Sequence, residues 1–544
     1  MAAPPPPIRS DVLVVGSGIA GSAAALEAAD RGLSVTILRR GSRRDEAASA
    51  WAQGGIVSRG ENDTAELLEQ DILATGAGLS WPPAVALLAR EGPGLVDRFL
   101  VDRVGVSFDK EADGKRSYGL EAAHSSRRIL HVGDATGHAI MEGLLARLAD
   151  HPNVTVVSPR TAIDLLTFPH HATDPLAVYE PARCYGVYAL DPERGVVEPY
   201  VARATVLATG GIGQVYLNTT NPPGARGDGI AMAHRAGARV VNAQFVQFHP
   251  TALDMPGHTK PLISEALRGE GARLLTPQGQ PFMHRYDPER AELAPRDLVA
   301  RAIFTEMLAN DWPHALLDIG SVLPAERIRE RFPGIHAACL ARGIDITAQP
   351  IPVVPAAHYA CGGVLVDGHG RSTLAGLYAV GEVACTGLHG ANRLASTSLL
   401  EGLVWGIRAA HHVAGLPADP VPPDSSFPAW DDSGLIYDAD PALVQGDLQT
   451  LRTLMWHYVG LIRSGFRLTR AINELRQLGL SIEAFYRQAR LTDALIGLRN
   501  AALTGMIVAS AAHRDPVSRG CHYREDTPAT GPGTPLAGLA RHVR

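Results

Sequence analysis

The sequence contains little cysteine and little charge for its length. Five cysteines are spread over 544 residues, an odd number that includes no Cys-x-x-Cys pair. This spacing excludes a disulfide framework and a cysteine-rich metal site, and it favours a reducing compartment. Charged residues make up 19% of the chain, and the formal net charge is −6, with no dense stripe of lysine or arginine. We therefore expect no binding to nucleic acid.

Long apolar runs are also missing. No run reaches the roughly 18 residues that a membrane-spanning helix requires, and the first ten residues have no apolar core of the kind found in signal peptides. We therefore expect no contact with a membrane and a cytoplasmic location. Hydrophobic residues make up 46% of the chain, which is typical of a folded protein of several domains.

A β-α-β unit opens the chain. Residues 11–15 form a short apolar run, residues 19–31 are rich in alanine, and residues 34–38 form a second apolar run. This order predicts a parallel sheet with helices on both of its faces. Residues 203–211 and 377–382 predict two further strands that end in glycine.

These two later strands are far apart, which indicates that a second domain interrupts the sheet-bearing domain. We expect a Rossmann-like α/β domain in two parts, residues 1–242 and 358–424, with an α+β insertion over residues 243–357. An amphipathic helix is predicted at 296–303 within the insertion. A proline-rich segment around 417–423 precedes helical spacing over 441–455, 458–479 and 482–510. A C-terminal helical domain over 425–544 is therefore predicted.

A glycine-rich motif lies between the first strand and the first helix. It consists of Gly16, Ser17, Gly18, Ile19, Ala20 and Gly21. In this position Gly16 permits a tight turn, Gly18 lets the backbone approach a pyrophosphate, and Gly21 allows the helix to pack closely on the strand. The free N–H groups of the helix N-terminus also favour phosphate. The motif therefore predicts a dinucleotide site.

The end of the second strand leaves the identity of the dinucleotide open. The chain reads Leu38-Arg39-Arg40 where an acidic residue commonly binds the ribose hydroxyls. One interpretation is a site for a 2′-phosphate, and hence for NADP. The other is FAD, with Arg40 lying against the adenosine end.

Three later segments carry a resemblance to a known family. They are residues 50–56 with the Gln53-Gly54-Gly55 loop, residues 206–211 with an Ala-Thr-Gly-Gly sequence, and residues 378–382 with Gly381-Glu382. Together they resemble the flavoproteins of the succinate dehydrogenase, fumarate reductase and aspartate oxidase group, over about residues 10–526. The resemblance implies FAD in preference to NADP.

The resemblance also implies which residues contact FAD beyond the glycine-rich motif and Arg40. They are Ser49, Ala52, Gln53, Gly54, Gly55, Asp228, Glu382, Ser398 and Leu399. Respiratory members of the group attach FAD covalently through a histidine five residues before the glutamine of the Gln-Gly-Gly loop. Here that position is Ala48, so the resemblance implies noncovalent FAD.

Within the group, residues 379–401 are most similar to the L-aspartate oxidases. This similarity implies oxidation of L-aspartate to iminoaspartate, with O2 or fumarate as the electron acceptor. The resemblance also implies that the reaction begins de novo NAD biosynthesis, with quinolinate synthase as the partner that receives the product.

A dicarboxylate substrate needs an anion site at each end, and arginine suits a carboxylate because its planar fork donates two hydrogen bonds. The resemblance places Arg393 and His358 at one carboxylate, and His249 and the hydroxyl of Ser264 at the other. Aspartate oxidases usually carry threonine at the position of Ser264. The insertion that bears these residues is expected to act as a lid over the flavin.

Two further residues are expected to be catalytic. Glu121 would attract the substrate ammonium, which succinate lacks. Arg296 is assigned the acid/base role by the resemblance, although an arginine normally keeps its proton and so suits proton donation to fumarate better than proton removal from aspartate. Arg127 and Arg128 are interpreted as structural or surface charges.

Three alternatives stay open from the sequence. The first is a soluble fumarate reductase or succinate dehydrogenase flavoprotein, against which Ala48 argues. The second is an NADPH-dependent reductase, suggested by Arg39 and Arg40. The third is a nucleotide-binding module without catalysis, against which the two carboxylate sites argue.

Overall fold

The structure is a computed structural model that describes residues 6–43, 45–121, 123–172, 174–417 and 421–527. Seventeen strands lie within these residues: Ile8–Val15 (β1), Val35–Leu38 (β2), Ile56–Val57 (β3), Tyr118–Gly119 (β4), Ile129–Leu130 (β5), Val154–Val157 (β6), Thr161–Phe168 (β7), Arg183–Asp191 (β8), Val196–Leu207 (β9), Val240–Val241 (β10), Val246–Leu253 (β11), Arg273–Leu275 (β12), Ala315–Asp318 (β13), Ile351–Ala360 (β14), Gly363–Leu365 (β15), Leu377–Ala379 (β16) and Ala384–Cys385 (β17).

Thirteen α-helices lie within the same residues: Ile19–Asp30 (α1), Ala65–Thr75 (α2), Pro82–Leu95 (α3), Thr136–Ala149 (α4), Asp228–Arg235 (α5), Ala266–Gly269 (α6), Arg296–Asn310 (α7), Ala325–Arg331 (α8), Pro333–Leu340 (α9), Ser398–Ala414 (α10), Pro441–Val459 (α11), Gly465–Tyr486 (α12) and Asp493–Arg514 (α13).

The largest sheet has seven strands, in the order β6-β2-β1-β9-β8-β7, with β16 also paired to β9. β6, β2, β1, β9 and β16 are parallel, whereas β8 is antiparallel to both of its neighbours, β9 and β7. In β1, β9 and β16, Val15, Leu207 and Ala379 lie at the same level of the sheet. Because parallel strands share one carboxyl edge, the glycine-rich segments that follow these three strands meet at that edge.

Helices α1 and α10 pack closely over this sheet because glycine removes side chains at their contact. A Cβ built on Gly406 would lie 2.5 Å from the carbonyl oxygen of Ala20, and one built on Gly402 would lie 3.3 Å from the Ala20 Cβ. These two glycines are four residues apart, so they lie on the same face of α10. The packing fixes the first turn of α1, where the glycine-rich motif ends.

A second, antiparallel sheet has its own core. Its order is β11-β14-β13-β12, and apolar side chains from α7, α8 and α9 fill the space beside it. This unit corresponds to the predicted α+β insertion. The predicted boundary at residue 357 falls inside β14, since β14 pairs with β11 as far as Ala360 opposite Val246. We retain the division into domains as a proposal.

The C-terminal helices differ in their ends from those predicted. α11 continues to Val459, and the next helix starts only at Gly465, because the Ser464 side chain caps it by accepting a bond from the Arg467 N–H. α12 then passes through Gly479 and ends at Tyr486. Part of the proline-rich segment, residues 418–420, lies outside the described residues.

One helix differs from the expectation that no segment of the chain is long and apolar enough to span a membrane. By length and composition alone, α13 is apolar enough to cross one, although 61% of its apolar window is buried inside the protein. It packs against α11, α12, α5 and strand β7 of the main sheet. A buried helix of this kind is typical of a protein core. The fold is therefore a Rossmann-like α/β domain with an α+β insertion and a C-terminal helical domain, as predicted.

Candidate active site

A cavity of about 730 Å³ extends from the β1–α1 turn to the four-stranded sheet. The predicted cofactor residues that line it are Gly16, Ser17, Gly18, Ile19, Ala20, Arg40, Ser49, Ala52, Gln53, Gly54, Gly55, Asp228, Glu382, Ser398 and Leu399. The residues predicted to bind or act on substrate line the same cavity: Glu121, His249, Ser264, Arg296, His358 and Arg393. Gly21 lies behind the lining, where a Cβ would be 2.2 Å from the Gly16 carbonyl oxygen.

At one end of the cavity the backbone leaves room for a phosphate. Gly16 has φ +110°, and a Cβ on it would lie 2.2 Å from the Ala208 carbonyl oxygen, so only glycine fits where β1 and β9 come together. Gly18 precedes α1, and the Ile19 N–H of its first turn donates to Ser49 Oγ over 3.1 Å. This bond brings residues 48–51 against the helix N-terminus.

The adenosine end of the cavity contains Arg40, the residue because of which the sequence left the choice between NADP and FAD open. Arg40 Nη1 lies 3.3 Å from Asp493 Oδ2, a carboxylate on α13. A carboxylate beside Arg40 disfavours a 2′-phosphate there, because the two anions would repel each other. The arrangement therefore argues against the NADP interpretation and leaves the FAD interpretation in place.

The Gln53-Gly54-Gly55 loop lies at the middle of the cavity. The buried Gln53 Oε1 has no hydrogen-bond partner among the described residues. Gly54 lies against Glu121, since a Cβ on it would be 2.4 Å from Glu121 Oε1. An unpaired buried acceptor on Gln53, followed by two glycines without side chains, fits a flat, polar ring system that lies along the loop. Ala48 also lines the cavity and offers no atom for a covalent bond to it.

Glu382 faces the same region from the end of β16. It accepts a bond from the Ala360 N–H over 3.0 Å, and a Cβ on Gly211 would lie 2.1 Å from its Oε1. Burial raises the pKa of Glu382 to about 7. A carboxyl group with this pKa can exchange hydrogen bonds with hydroxyl groups in either protonation state, which fits a ribityl chain.

Arg393 is buried at the opposite end with few partners of its own. Its Nη atoms lie 3.3 Å from Ser398 Oγ and 3.3 Å from Gln247 Oε1. Its Nε has no partner among the described residues. Burial, together with the nearby charge of Arg296, lowers the pKa of the guanidinium. A buried, underbonded cation of this kind is suited to bind a carboxylate.

A buried network of side chains, which sequence reasoning missed, contacts Arg393. The guanidinium carbon lies 4.5 Å from the centre of the Tyr359 ring, a cation–π contact. Tyr359 donates to Glu401 over 2.9 Å, and Glu401 also accepts from His389 and Thr386. Glu401 lies within the segment 379–401 that resembles the family, but nothing in the sequence indicates that Tyr359 and Glu401 meet.

Two histidines lie next to each other on the paired strands β11 and β14. The His249 and His358 rings are 5.3 Å apart and nearly perpendicular. His358 Nδ1 lies 2.7 Å from Thr220 Oγ1, and His249 Nδ1 lies 3.0 Å from the Thr251 carbonyl oxygen. Burial, reinforced by neighbouring arginines, holds the pKa of both rings well below the usual value. Both are therefore neutral near pH 7.

The insertion contributes Ser264 beside α6. Its Oγ accepts a bond from the Ala266 N–H over 3.3 Å, just before this short helix. Ser264 also lines the cavity, so its hydroxyl proton is available to a ligand. The second carboxylate site that it would form with His249 stays a prediction.

Arg296 is the first residue of α7 and is paired with a carboxylate. Its Nε donates a short bond to Glu265 Oε2, while Arg268 Nη2 lies 3.5 Å from Glu265 Oε1. Burial opposes the charge of Arg296, but Glu265 and then Glu121 outweigh it and raise the pKa of Arg296. Sequence reasoning missed the parts of Glu265 and Arg268 in this cluster.

Glu121 accepts a bond from Ser396 Oγ over 2.7 Å. Burial raises the pKa of its carboxyl group, and Arg296 opposes this shift. The group is thus an acid placed between the Gln-Gly-Gly loop and a cationic side chain. Its neighbour Ala122 lies outside the described residues.

The loop that follows Glu121 is fixed by a buried ion cluster. Arg128 is fully buried and donates to Asp63 over 2.8 Å and to Asp71 over 2.7 Å. Asp71 also accepts bonds from the Ser125 N–H and hydroxyl. Of the two expected possibilities for Arg128, a structural charge and a surface charge, the burial favours the structural one.

Comparison with known proteins agrees with this geometry. Residues 11–399 match the family model for an FAD binding domain, and residues 448–532 match the model for the fumarate reductase flavoprotein C-terminal region. The class is therefore that of an FAD-binding flavoprotein of the succinate dehydrogenase and fumarate reductase type. Within it, the chain belongs to the L-aspartate oxidase family.

Curated relatives show that the chain belongs to the L-aspartate oxidase family. The chain is 47% identical to L-aspartate oxidase 1 of Ralstonia nicotianae over 525 residues, with 96% of each chain covered. It is 45% identical to the L-aspartate oxidase of Pseudomonas aeruginosa, with 96% of each covered. The L-aspartate oxidase of Halobacterium salinarum is 46% identical, with 96% of this chain and 97% of the relative covered.

Solved structures of respiratory enzymes have the same fold. A variant of the E. coli quinol fumarate reductase flavoprotein aligns with a TM-score of 0.86 and 25% identity, over 98% of this chain and 94% of that one. Sdh1 of Mycobacterium smegmatis aligns with a TM-score of 0.82 and 30% identity, over 97% of this chain and 90% of that one.

Proposed function

We propose that this protein is an FAD-dependent L-aspartate oxidase that converts L-aspartate to iminoaspartate. The observation that carries the proposal is a single cavity lined by the Gln-Gly-Gly loop together with Arg393, His358, His249 and Ser264. FAD, when bound, accepts the hydride from the substrate carbon and returns the electrons to O2, giving H2O2, or to fumarate. FAD is held without a covalent bond, since Ala48 offers none.

The two carboxylates of the substrate are bound by different groups at the substrate end of this cavity. Arg393 donates two charge-assisted bonds to one carboxylate, and its contact with the Tyr359 ring keeps the guanidinium in place. The neutral rings of His249 and His358 donate hydrogen bonds without adding further charge. Holding the chain at both ends orients the carbon between them toward the flavin.

Glu121 distinguishes aspartate from succinate in this proposal. Its carboxylate pairs with the substrate ammonium, and a substrate without nitrogen would leave the carboxylate partly buried and unpaired. Burial raises the pKa of Glu121, which makes it a better acceptor for the proton that the ammonium must lose before the hydride departs.

Arg296 has the opposite role. Because Glu265 and Glu121 raise the pKa of Arg296, its guanidinium stays protonated in the resting protein. This bound proton is the one that the proposal has Arg296 donate when fumarate is the acceptor, and Glu265, which contacts both Arg296 and Arg268, lies where a replacement proton would arrive. In the oxidation of aspartate, its positive charge stabilises the substrate carboxylate beside it.

The proposal extends to the cellular context. Iminoaspartate passes to quinolinate synthase as the first step of de novo NAD biosynthesis, and the enzyme acts in the cytoplasm. All five cysteines are buried free thiols, which fits a reducing compartment.

A spectrum of the purified protein tests the proposal. The flavin absorbance should be present without added cofactor, and anaerobic L-aspartate should bleach it, while succinate should bleach it far more slowly. Equal bleaching by succinate would favour the rival succinate dehydrogenase or fumarate reductase flavoprotein. Reduction by NADPH in place of L-aspartate would favour a reductase. A protein that stays colourless after reconstitution would contradict the flavin assignment.

A further inference from the structure

One face of α13 carries four small or polar residues. They are Asp493, Gly497, Asn500 and Thr504, which are spaced by four, three and four residues. This spacing places all of them on one side of the helix. The side faces residues 224–228, the segment that leads into α5 at the adenosine end of the cavity.

Asp493 is the most connected residue of this face. Its two carboxylate oxygens accept bonds from Arg226 Nη1 and Nη2, each over 3.0 Å. Thr161 Oγ1 donates to Oδ1 over 2.9 Å, and Arg40 Nη1 donates to Oδ2 over 3.3 Å. Arg40 and Thr161 both line the cavity. A carboxylate from the helical domain thus holds two groups of the cofactor cavity together.

The rest of the face continues the same contact. Asn500 Nδ2 donates to Asp228 Oδ1 over 2.9 Å, and Thr504 Oγ1 donates to the Gly227 carbonyl oxygen over 3.3 Å. Gly497 makes room for Arg226, since a Cβ on Gly497 would lie 2.3 Å from the Arg226 Nη1. Asp228 lines the cavity, so the contact reaches the cavity at a second point.

The charges of this cluster balance. Arg40 and Arg226 provide two positive charges, and Asp228 and Asp493 provide two negative ones, with Arg226 bonded to both carboxylates. Removing the charge of Asp493 would leave an uncompensated cation and would free the guanidinium of Arg40 to leave the cavity wall. Charge-assisted bonds of this kind are both directional and strong.

We infer that α13 forms part of the FAD site, and that Asp493 and Asn500 are positioning residues which hold Arg40, Arg226 and Asp228 around the adenosine half of the cofactor. Docking of the C-terminal helical domain and binding of FAD therefore stabilise each other. The inference rests on FAD as the cofactor and is independent of the substrate.

Flavin-free protein provides the test. We expect Asp493→Asn to weaken FAD binding about tenfold, measured by quenching of flavin fluorescence, and to weaken ADP binding by a similar factor, measured by competition with FAD. ADP carries only the adenosine half of the cofactor, so a parallel loss locates the effect at that end. The control is Asp440→Asn, since the exposed Asp440 caps α11 by accepting from the Ala442 N–H and is outside the cavity lining. The control should bind both ligands normally.

A double-mutant cycle with Arg40→Met separates positioning from general damage. If Asp493 acts through Arg40, then Asp493→Asn should add little in the Arg40→Met background. Fully additive losses, or equal FAD affinity in Asp493→Asn and the unmodified chain, would overturn the inference.

A second variant covers the case in which Asp493→Asn does not fold. Asn500→Ala removes only the bond to Asp228, and we expect it to reduce the rise in melting temperature that FAD produces. An unchanged rise would contradict the coupling. None of these readouts uses aspartate, so they remain valid if the proposed substrate is wrong.

Discussion

The two ends of the cavity are built in different ways. At the pyrophosphate end the lining is mostly backbone, with Gly16, Gly18 and the first turn of α1 contributed by one short segment. At the substrate end the lining is side chains from separate elements, with His249 on β11, His358 on β14 and Arg296 on α7. The first end depends on the absence of side chains, and the second depends on their chemistry.

This difference determines which substitutions each end of the cavity tolerates. A backbone site is disrupted by any added atom, because the atom enters space that the cofactor or a neighbouring strand needs. A side-chain site keeps its shape when one group is removed, and it loses only the interaction that the group made. Substitutions at the two ends of the cavity should therefore differ in what they disrupt.

The first prediction concerns the backbone end. Gly16→Ala should abolish flavin binding, because the added Cβ would lie 2.2 Å from the Ala208 carbonyl oxygen at a φ of +110°. The purified variant should show no flavin absorbance. Gly446→Ala is the control, because a Cβ there meets no atom within 4 Å. A yellow Gly16→Ala variant would contradict the backbone argument.

The second prediction removes the carboxylate-binding arginine. Arg393→Leu should lower kcat/KM for L-aspartate by about 10³, since two charge-assisted bonds of roughly 1.5–3 kcal/mol each are lost. Steady-state kinetics with a flavin absorbance measurement check it, and flavin content should be unchanged. Arg470→Leu, which removes an exposed arginine paired with Glu474, serves as the control. A loss of tenfold or less would exclude Arg393 from carboxylate binding.

The third prediction concerns the proton donor. Arg296→Leu should lower the turnover number by about 10², the usual lower range for loss of an acid/base group, and it should leave flavin bound. Turnover with fumarate as acceptor should fall further than turnover with O2. Arg290→Leu replaces an exposed arginine of the same insertion and should be active. Near-normal turnover of Arg296→Leu would remove this residue from the mechanism.

The fourth prediction uses the neutral histidines near the substrate end. Burial lowers the pKa of His124 to about 4, and the pKa values of His249 and His358 are also depressed. The unfolded chain therefore binds more protons below its ordinary histidine pKa of about 6.5, so stability is full above that pH and is lost as the pH falls. His124 alone should account for about 2 kcal/mol between pH 7 and pH 5.

Thermal unfolding at pH 7 and pH 5 measures this loss. In His124→Gln the drop in melting temperature on acidification should be smaller than in the unmodified chain. Gln retains a donor for the Ala395 carbonyl oxygen, which lies 3.0 Å from His124 Nε2. An equal drop in both proteins would show that His124 does not titrate as described.

The fifth prediction concerns substrate selection. Glu121→Gln should reduce the preference for L-aspartate over succinate about tenfold, equivalent to about 1.4 kcal/mol. The amide can still accept the bond from Ser396, so the loop should keep its position. Comparison of kcat/KM for the two substrates provides the measurement, with Glu61→Gln at an exposed position as the control. An unchanged ratio would mean that Glu121 does not bind the ammonium.

The same contrast explains what the sequence could predict. The β-α-β unit and the glycine-rich motif are local, so the alternation of apolar runs and glycines was sufficient to place both. The start of α7 at Arg296 was also predicted correctly, because helix periodicity is a local property. The class of fold followed from motifs of this kind, whereas the choice of FAD over NADP followed from the resemblance to the flavoprotein family.

The supporting contacts could not be predicted in this way. Arg40 and Asp493 are 453 positions apart in the chain, and Tyr359 and Glu401 are 42 apart. Each of these side chains alone is an ordinary polar residue, and only the tertiary fold brings the members of each pair together. Helix ends at α11 and α12 were also misplaced, because the Ser464 cap competes with a continuous apolar pattern.

The buried Arg128 cluster decides which part of the molecule carries Glu121. It fixes the loop of Glu121 to Asp63 and Asp71, which belong to the half of the molecule that holds the cofactor, whereas Ser264 and Arg296 belong to the insertion. In the proposed function, discrimination against a diacid without nitrogen is therefore a property of the cofactor half and is separate from the insertion.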